Sequence, residues 1–173
     1  MSIQQFELYH GAVLARIVRN DRPVTLRLIE SKAKQAWAAY IIDDEAVFYM
    51  KHNSGGDERK RDHVWTWSFS FNASQLSELH QLQQKKRPVY LVLICGQREV
   101  GRDWPMEVCL LSPDKVNQCI DVGADSPQSI RVEAPPNREL HVYGPKLQGG
   151  NPLLVPRNAL DNFGISRKRF PRD

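Results

Sequence analysis

The stretch that most constrains the fold runs from Val64 to Gly96 and reads as strand, helix, strand. In Val64-Trp65-Thr66-Trp67-Ser68-Phe69-Ser70-Phe71 the aromatics Trp65, Trp67, Phe69 and Phe71 alternate with smaller residues. That is the period of a strand with one buried face, and the face is the heaviest apolar surface in the chain. Asn72 or Ser74 then caps a helix with Leu76, Leu79 and Leu82 on one side, closed by Lys85-Lys86-Arg87, where positive charge complements the helix dipole. Pro88 stops it. The run Val89-Tyr90-Leu91-Val92-Leu93-Ile94-Cys95 is almost wholly apolar and ends at Gly96, which predicts a central strand covered on both faces.

Around this unit the pattern predicts an α+β fold. A helix is expected near residues 4–19, where Phe6, His10, Val13 and Ile17 recur at helical spacing with Gly11 as a weak point. Strands are expected over 24–30, 36–42, 46–51 and 64–71, forming with residues 89–95 a mixed sheet, and the second helix spans about 73–86. The segment from His52 to His63 has no apolar anchor and reads as a surface loop. A further strand is expected at 106–111, a short helix from Ser112 to about Ile120, and a C-terminal hairpin from residues 129–134 and 139–143. Residues 1–144 read as a single α+β domain, with 145–173 as a basic Gly- and Pro-rich extension holding one short helix, anchored only by Leu153-Leu154-Val155 and Ala159 to Phe163.

At 173 residues the chain can bury a substantial core without metals or disulfides. Cys95, Cys109 and Cys119 are odd in number and lie in apolar patterns, as reduced core residues do. No basic-then-apolar leader opens the chain and no apolar run nears the roughly 20 residues of a membrane span, so the expectation is a cytoplasmic protein with no membrane association.

The formal charge is only +4, from 24 Lys and Arg against 20 Asp and Glu, so the distribution matters more than the sum. Three triplets stand out: Arg59-Lys60-Arg61, Lys85-Lys86-Arg87 and Arg167-Lys168-Arg169. Any one of them is ordinary for a loop, a helix end or a tail; a shared face would make a binding patch. Arg16, Arg19, Arg22 and Arg27 near the first helix and strand add possible phosphate contacts, and Trp104 in a polar loop is a candidate exposed aromatic.

Catalytic motifs are sparse. There is no Gly-x-Ser-x-Gly elbow and no phosphate-cradling loop; the turn from Gly96 to Gly101 lacks the lysine and hydroxyl of one. The histidines His10, His52, His63, His80 and His141 show no paired ligand spacing, although His52 and His63 flank one loop with Asp57 and Asp62 between them. No metal or cofactor is expected from these residues. The reading is therefore a non-enzymatic module that contacts nucleic acid or a protein partner through the basic triplets.

One resemblance supplies an alternative. A helix, three strands, and later a helix and an apolar strand is an order similar to the core of the PD-(D/E)XK nuclease superfamily, with one additional strand here before the second helix. The resemblance implies an acid in the first helix, an acid on the second strand, a Glu-x-Lys on the third, and hydrolysis dependent on a divalent ion such as Mg²⁺. Glu7 matches the first position and Lys51 the last. Tyr49 stands where the metal-binding acid is expected, and residues 37–42 supply no carboxylate, which leaves Glu30, Asp43 or Asp44 to provide it.

Overall fold

The computed structural model describes residues 3–19, 24–32, 37–97 and 106–163. It shows an α+β domain with three α-helices and two sheets, one mixed and one antiparallel. Helix α1 (Gln5–Val18) leads into β1 (Leu26–Lys32), β2 (Trp37–Ile42) and β3 (Ala46–Asn53). β4 (Asp57–Arg59), β5 (Val64–Phe71) and helix α2 (Ala73–Gln83) follow, then β6 (Val89–Cys95), β7 (Glu107–Leu111) and helix α3 (Pro113–Cys119). The chain continues through β8 (Gln128–Ala134), β9 (Leu140–Tyr143) and β10 (Leu153–Val155).

The mixed sheet has the order β1-β2-β3-β6-β7 and the antiparallel sheet the order β10-β9-β8-β5-β4. β1, β2 and β3 form an antiparallel meander; β6 then lies parallel to β3, with Val47 opposite Val89 and Asn53 opposite Cys95. The β2–β3 turn places Asp43 and Asp44 at positive φ (51° and 53°), a conformation that Asp tolerates better than most residues.

Alternation along β3 divides the core in two. Val47 and Tyr49 face one way, into a cluster shared with Trp37, Trp67, Phe69, Phe71, α2, α3 and the antiparallel sheet. Phe48 and Met50 face the other way, against Tyr9, Val13 and Ile17 of α1 and Leu160 near the end of the described chain. β6 contributes Leu91 and Leu93 to the first cluster and Val92 and Ile94 to the second, so it is covered on both faces as its composition predicts. Complete burial of Phe69 and Phe71 contributes on the order of 2–3 kcal/mol each.

Four features differ from the sequence reading. β5 does not join the mixed sheet: it pairs with β8 in the antiparallel one and presents its aromatics across the core, because β6 occupies the place beside β3. The stretch from His52 to His63 is not all loop, since β3 runs to Asn53 and β4 pairs with β5. Its anchor is Gly56, packed so closely on the Trp67 indole that a Cβ there would strike the ring. α2 ends at Gln83, leaving Lys85, Lys86 and Arg87 in the link to β6. In the C-terminal extension Leu153–Val155, read only as an apolar anchor, forms β10 against β9, after a single 3₁₀ turn at Gln148–Gly150 and before turns over 157–163.

Candidate nucleic-acid interface

Several cations from separate parts of the chain meet at the end of the mixed sheet where β3 and β6 begin. The β2–β3 turn organises them. Asp43 accepts a hydrogen bond from the Thr25 N–H (2.8 Å) and donates its own N–H to the Thr25 carbonyl (2.9 Å), tying the entry of β1 to the turn. Asp44 then holds two guanidiniums. Arg27 Nη2 lies 3.2 Å from its Oδ1, and Arg87 donates from Nε to its backbone carbonyl (2.6 Å) with Nη2 at 3.8 Å from the same carboxylate.

Helix α1 delivers two more cations to this end. Arg16 makes a two-point contact with Asp161 at 2.6 and 2.9 Å, while Arg19 caps the helix and is exposed. Phe163 packs edge-on against Phe48 (4.6 Å between centroids) and Tyr90 (5.1 Å), which fixes the last described residue beside the same end. Lys85 and Lys86 are exposed in the short link before β6. Arg19, Lys85 and Lys86 carry no ion pair among the described residues, so this end presents cations that no described carboxylate neutralises.

The triplet Arg59-Lys60-Arg61 lies elsewhere, at the turn between β4 and β5. Arg59 is bound to Asp62 (2.8 Å), a bond that raises the arginine pKa and lowers that of the aspartate, and Lys60 and Arg61 are exposed. This turn follows the far end of β3, so the length of the parallel pair, roughly 20 Å, separates it from Lys85-Lys86-Arg87. Arg167, Lys168 and Arg169, like Arg22 and Trp104, lie outside the described residues. Beyond the β4–β5 turn, the same end of the antiparallel sheet carries an open groove of about 720 Å³ lined by Arg138, His141, Leu154 and Pro156. Arg157 on its wall donates to the carbonyls of Pro135 (2.6 Å) and Arg138 (2.7 Å) and pairs with Glu107; its burial lowers its pKa.

The element order that suggests a nuclease core is present, with two strands, β4 and β5, before α2. Those of its residues whose side chains are described, Glu7, Asp43, Asp44 and Lys51, do not converge. Glu7 accepts from the Gln4 N–H (2.6 Å) in the capping box of α1 and is exposed on the helix. Lys51 opens on the opposite face of the sheet from α1, donating to Gln75 Oε1 (3.0 Å) beneath the Phe71 ring (5.0 Å to its centroid). Burial lowers its pKa to about 8. Asp43 and Asp44 sit in the turn before β3, beyond Ala46, which is itself five residues and ~16 Å along the strand from Lys51. Glu30 lies on β1, in the part of that strand (residues 30–32) where only the backbone is described. Among the described residues no group of three or more His, Cys, Asp or Glu can hold a metal ion.

His63 is bound to Glu58 (2.9 Å) and does not meet His52. His52 instead stacks on Tyr9 (5.3 Å between centroids) and meets His10, a pairing the sequence reading missed. The one signal for it was a histidine on the apolar stripe of a helix.

The three cysteines are free, buried and held protonated, since burial raises each thiol pKa. No helix among the described residues is long and apolar enough to cross a membrane. The fold thus defines a single α+β domain of two packed sheets with a cationic end. Comparison with protein-family models, with curated proteins and with solved structures finds no match for the chain.

Proposed function

We propose that this protein is a non-enzymatic, cytoplasmic nucleic-acid-binding module that grips the phosphate backbone with the end of the mixed sheet formed by Arg16, Arg19, Arg27, Lys85, Lys86 and Arg87. The observation that carries this reading is Asp44, one carboxylate shared by Arg27 and Arg87. A single anion between two guanidiniums fixes their position and leaves donors free for a second anion, and exposed Lys85, Lys86 and Arg19 extend the positive surface around it. Contacts of this kind read charge and spacing without sequence. Three buried free thiols accord with a reducing compartment.

Phosphate contacts release counterions, so affinity falls on a log–log plot against salt with a slope near 0.9 per contact on duplex DNA. Anisotropy of a labelled oligonucleotide between about 50 and about 200 mM salt is expected to give a slope of about 3–5 for the unaltered protein. Lys85→Ala/Lys86→Ala should reduce the magnitude of that slope by about two. Binding indifferent to salt, or no binding at the lowest salt, sinks the proposal.

A further inference from the structure

The opposite end of the mixed sheet, where β3 and β6 finish, holds a histidine pair that the cationic interface does not use. His10, on the face of α1 packed against the sheet, is 1% exposed, and neither of its ring nitrogens has a hydrogen-bond partner among the described residues. A buried unsatisfied polar atom is destabilising, and a bound species at that position would offset the cost. His52 reaches the same space from β3, its ring centroid 5.8 Å from that of His10 and the planes at 81°.

The surroundings hold both rings in place. Tyr9 stacks on His52 with planes 30° apart, and the Tyr9 hydroxyl is itself fixed, donating to the Gln97 carbonyl (2.6 Å) and accepting from the Gln97 N–H (3.0 Å). Tyr40 closes the other side of His10 at 6.3 Å. The pair lies at the carboxyl ends of two parallel strands, the position at which open α/β sheets place their ligands.

We infer that His10 and His52 together bind a transition-metal ion of the imidazole-seeking class, Zn²⁺ or Cu²⁺, with the remaining coordination positions on the half-buried His52 side left to water or a small anion. The spacing permits it. An imidazole nitrogen sits about 2.0 Å from such an ion and about 1.1 Å from its own ring centre, so two rings on one ion have centroids up to about 6.2 Å apart. Imidazole pairs favour Cu²⁺ and Zn²⁺ over the oxygen-seeking Mg²⁺ and Ca²⁺. With two protein ligands the site binds more weakly than a closed four-ligand zinc centre.

Calorimetric titration of the full chain with Zn²⁺ alone is the direct test. A single ion per chain is expected, with affinity reduced about tenfold or more in His10→Phe and separately in His52→Phe, and retained when His63, His80 and His141 are all changed to Ala. The spin resonance spectrum of Cu²⁺ on the unaltered protein supplies a readout that needs no core variant, and coupling to two imidazole nitrogens is expected. Absence of stoichiometric Zn²⁺ binding, affinity unchanged in a folded His10→Phe protein, or a copper spectrum with fewer than two imidazole nitrogens overturns the inference.

Discussion

Lys51 carries a charge at 8% exposure and donates to Gln75, whose Oε1 also accepts from the Asn72 N–H (3.2 Å). The folded-state pKa, about 8, lies below the ordinary 10.5, because burial penalises the ammonium. The unfolded chain therefore binds more protons than the folded one between about pH 8 and 10.5. Stability from this group rises with pH through that window, and below about pH 8 the protein carries the full penalty, on the order of 3 kcal/mol. Lys51→Met keeps the stem under Phe71 and removes the charge. It is expected to stabilise the protein by about 1–2 kcal/mol at pH 7, the lost Gln75 bond offsetting part of the gain, with the difference shrinking towards pH 10. Urea denaturation of both proteins at the two pH values checks this; a destabilised variant at pH 7 would show that the buried ammonium has a compensating partner.

Among the elements, two glycines make opposite demands. Gly11 lies inside α1 with nothing within 4 Å of the position a Cβ would take, so Gly11→Ala should stabilise the protein by about 0.5–1 kcal/mol through helix propensity. Gly144, just after β9, rests on the backbone of Cys119 at the end of α3, and the Lys146 N–H bonds to the Cys119 carbonyl (3.1 Å) across the same contact. Gly144→Ala forces that corner apart and should cost about 2–3 kcal/mol, read as a lower urea midpoint, while a neutral result would mean that β9 and α3 separate freely. The elements themselves were legible in the sequence because each is a local pattern: the aromatic alternation of β5, the apolar run of β6, and the Ser112-Pro113 start of α3, where Ser112 does accept from the Lys115 N–H. Their partnership was not. Alternation says which face of β5 is buried but not that Ser70 lies opposite Ser129, and nothing local separates a strand of one sheet from a strand of the sheet packed on it. β10 was hidden for the related reason that three residues between prolines carry no period. The site followed the same rule. Lys85-Lys86-Arg87 is visible in the sequence, whereas Arg27 and Arg87 on Asp44, or His10 beside His52, exist only once the strands have paired.

For the whole molecule, the two described basic triplets stand at opposite ends of the β3–β6 pair, and this separation allows position to be tested apart from charge. Lys85→Glu/Lys86→Glu and Lys60→Glu/Arg61→Glu change the net charge equally. All four residues are exposed and without ion pairs among the described residues, so neither pair of changes leaves a buried charge unpartnered. At about 0.1 M salt the screening length is about 10 Å, half the separation of the ends, so each change is felt only near its own site. If the Asp44-centred end grips the phosphates, the first variant loses oligonucleotide affinity by about tenfold or more, because two contacts become two repulsions, while the second changes it by less than about threefold. Anisotropy titrations at a single salt concentration decide between the ends. Equal losses in both variants would mean that binding follows net charge and that the arrangement around Asp44 does not direct it; a loss confined to the second would move the interface to the β4–β5 turn and the Arg138 groove beyond it.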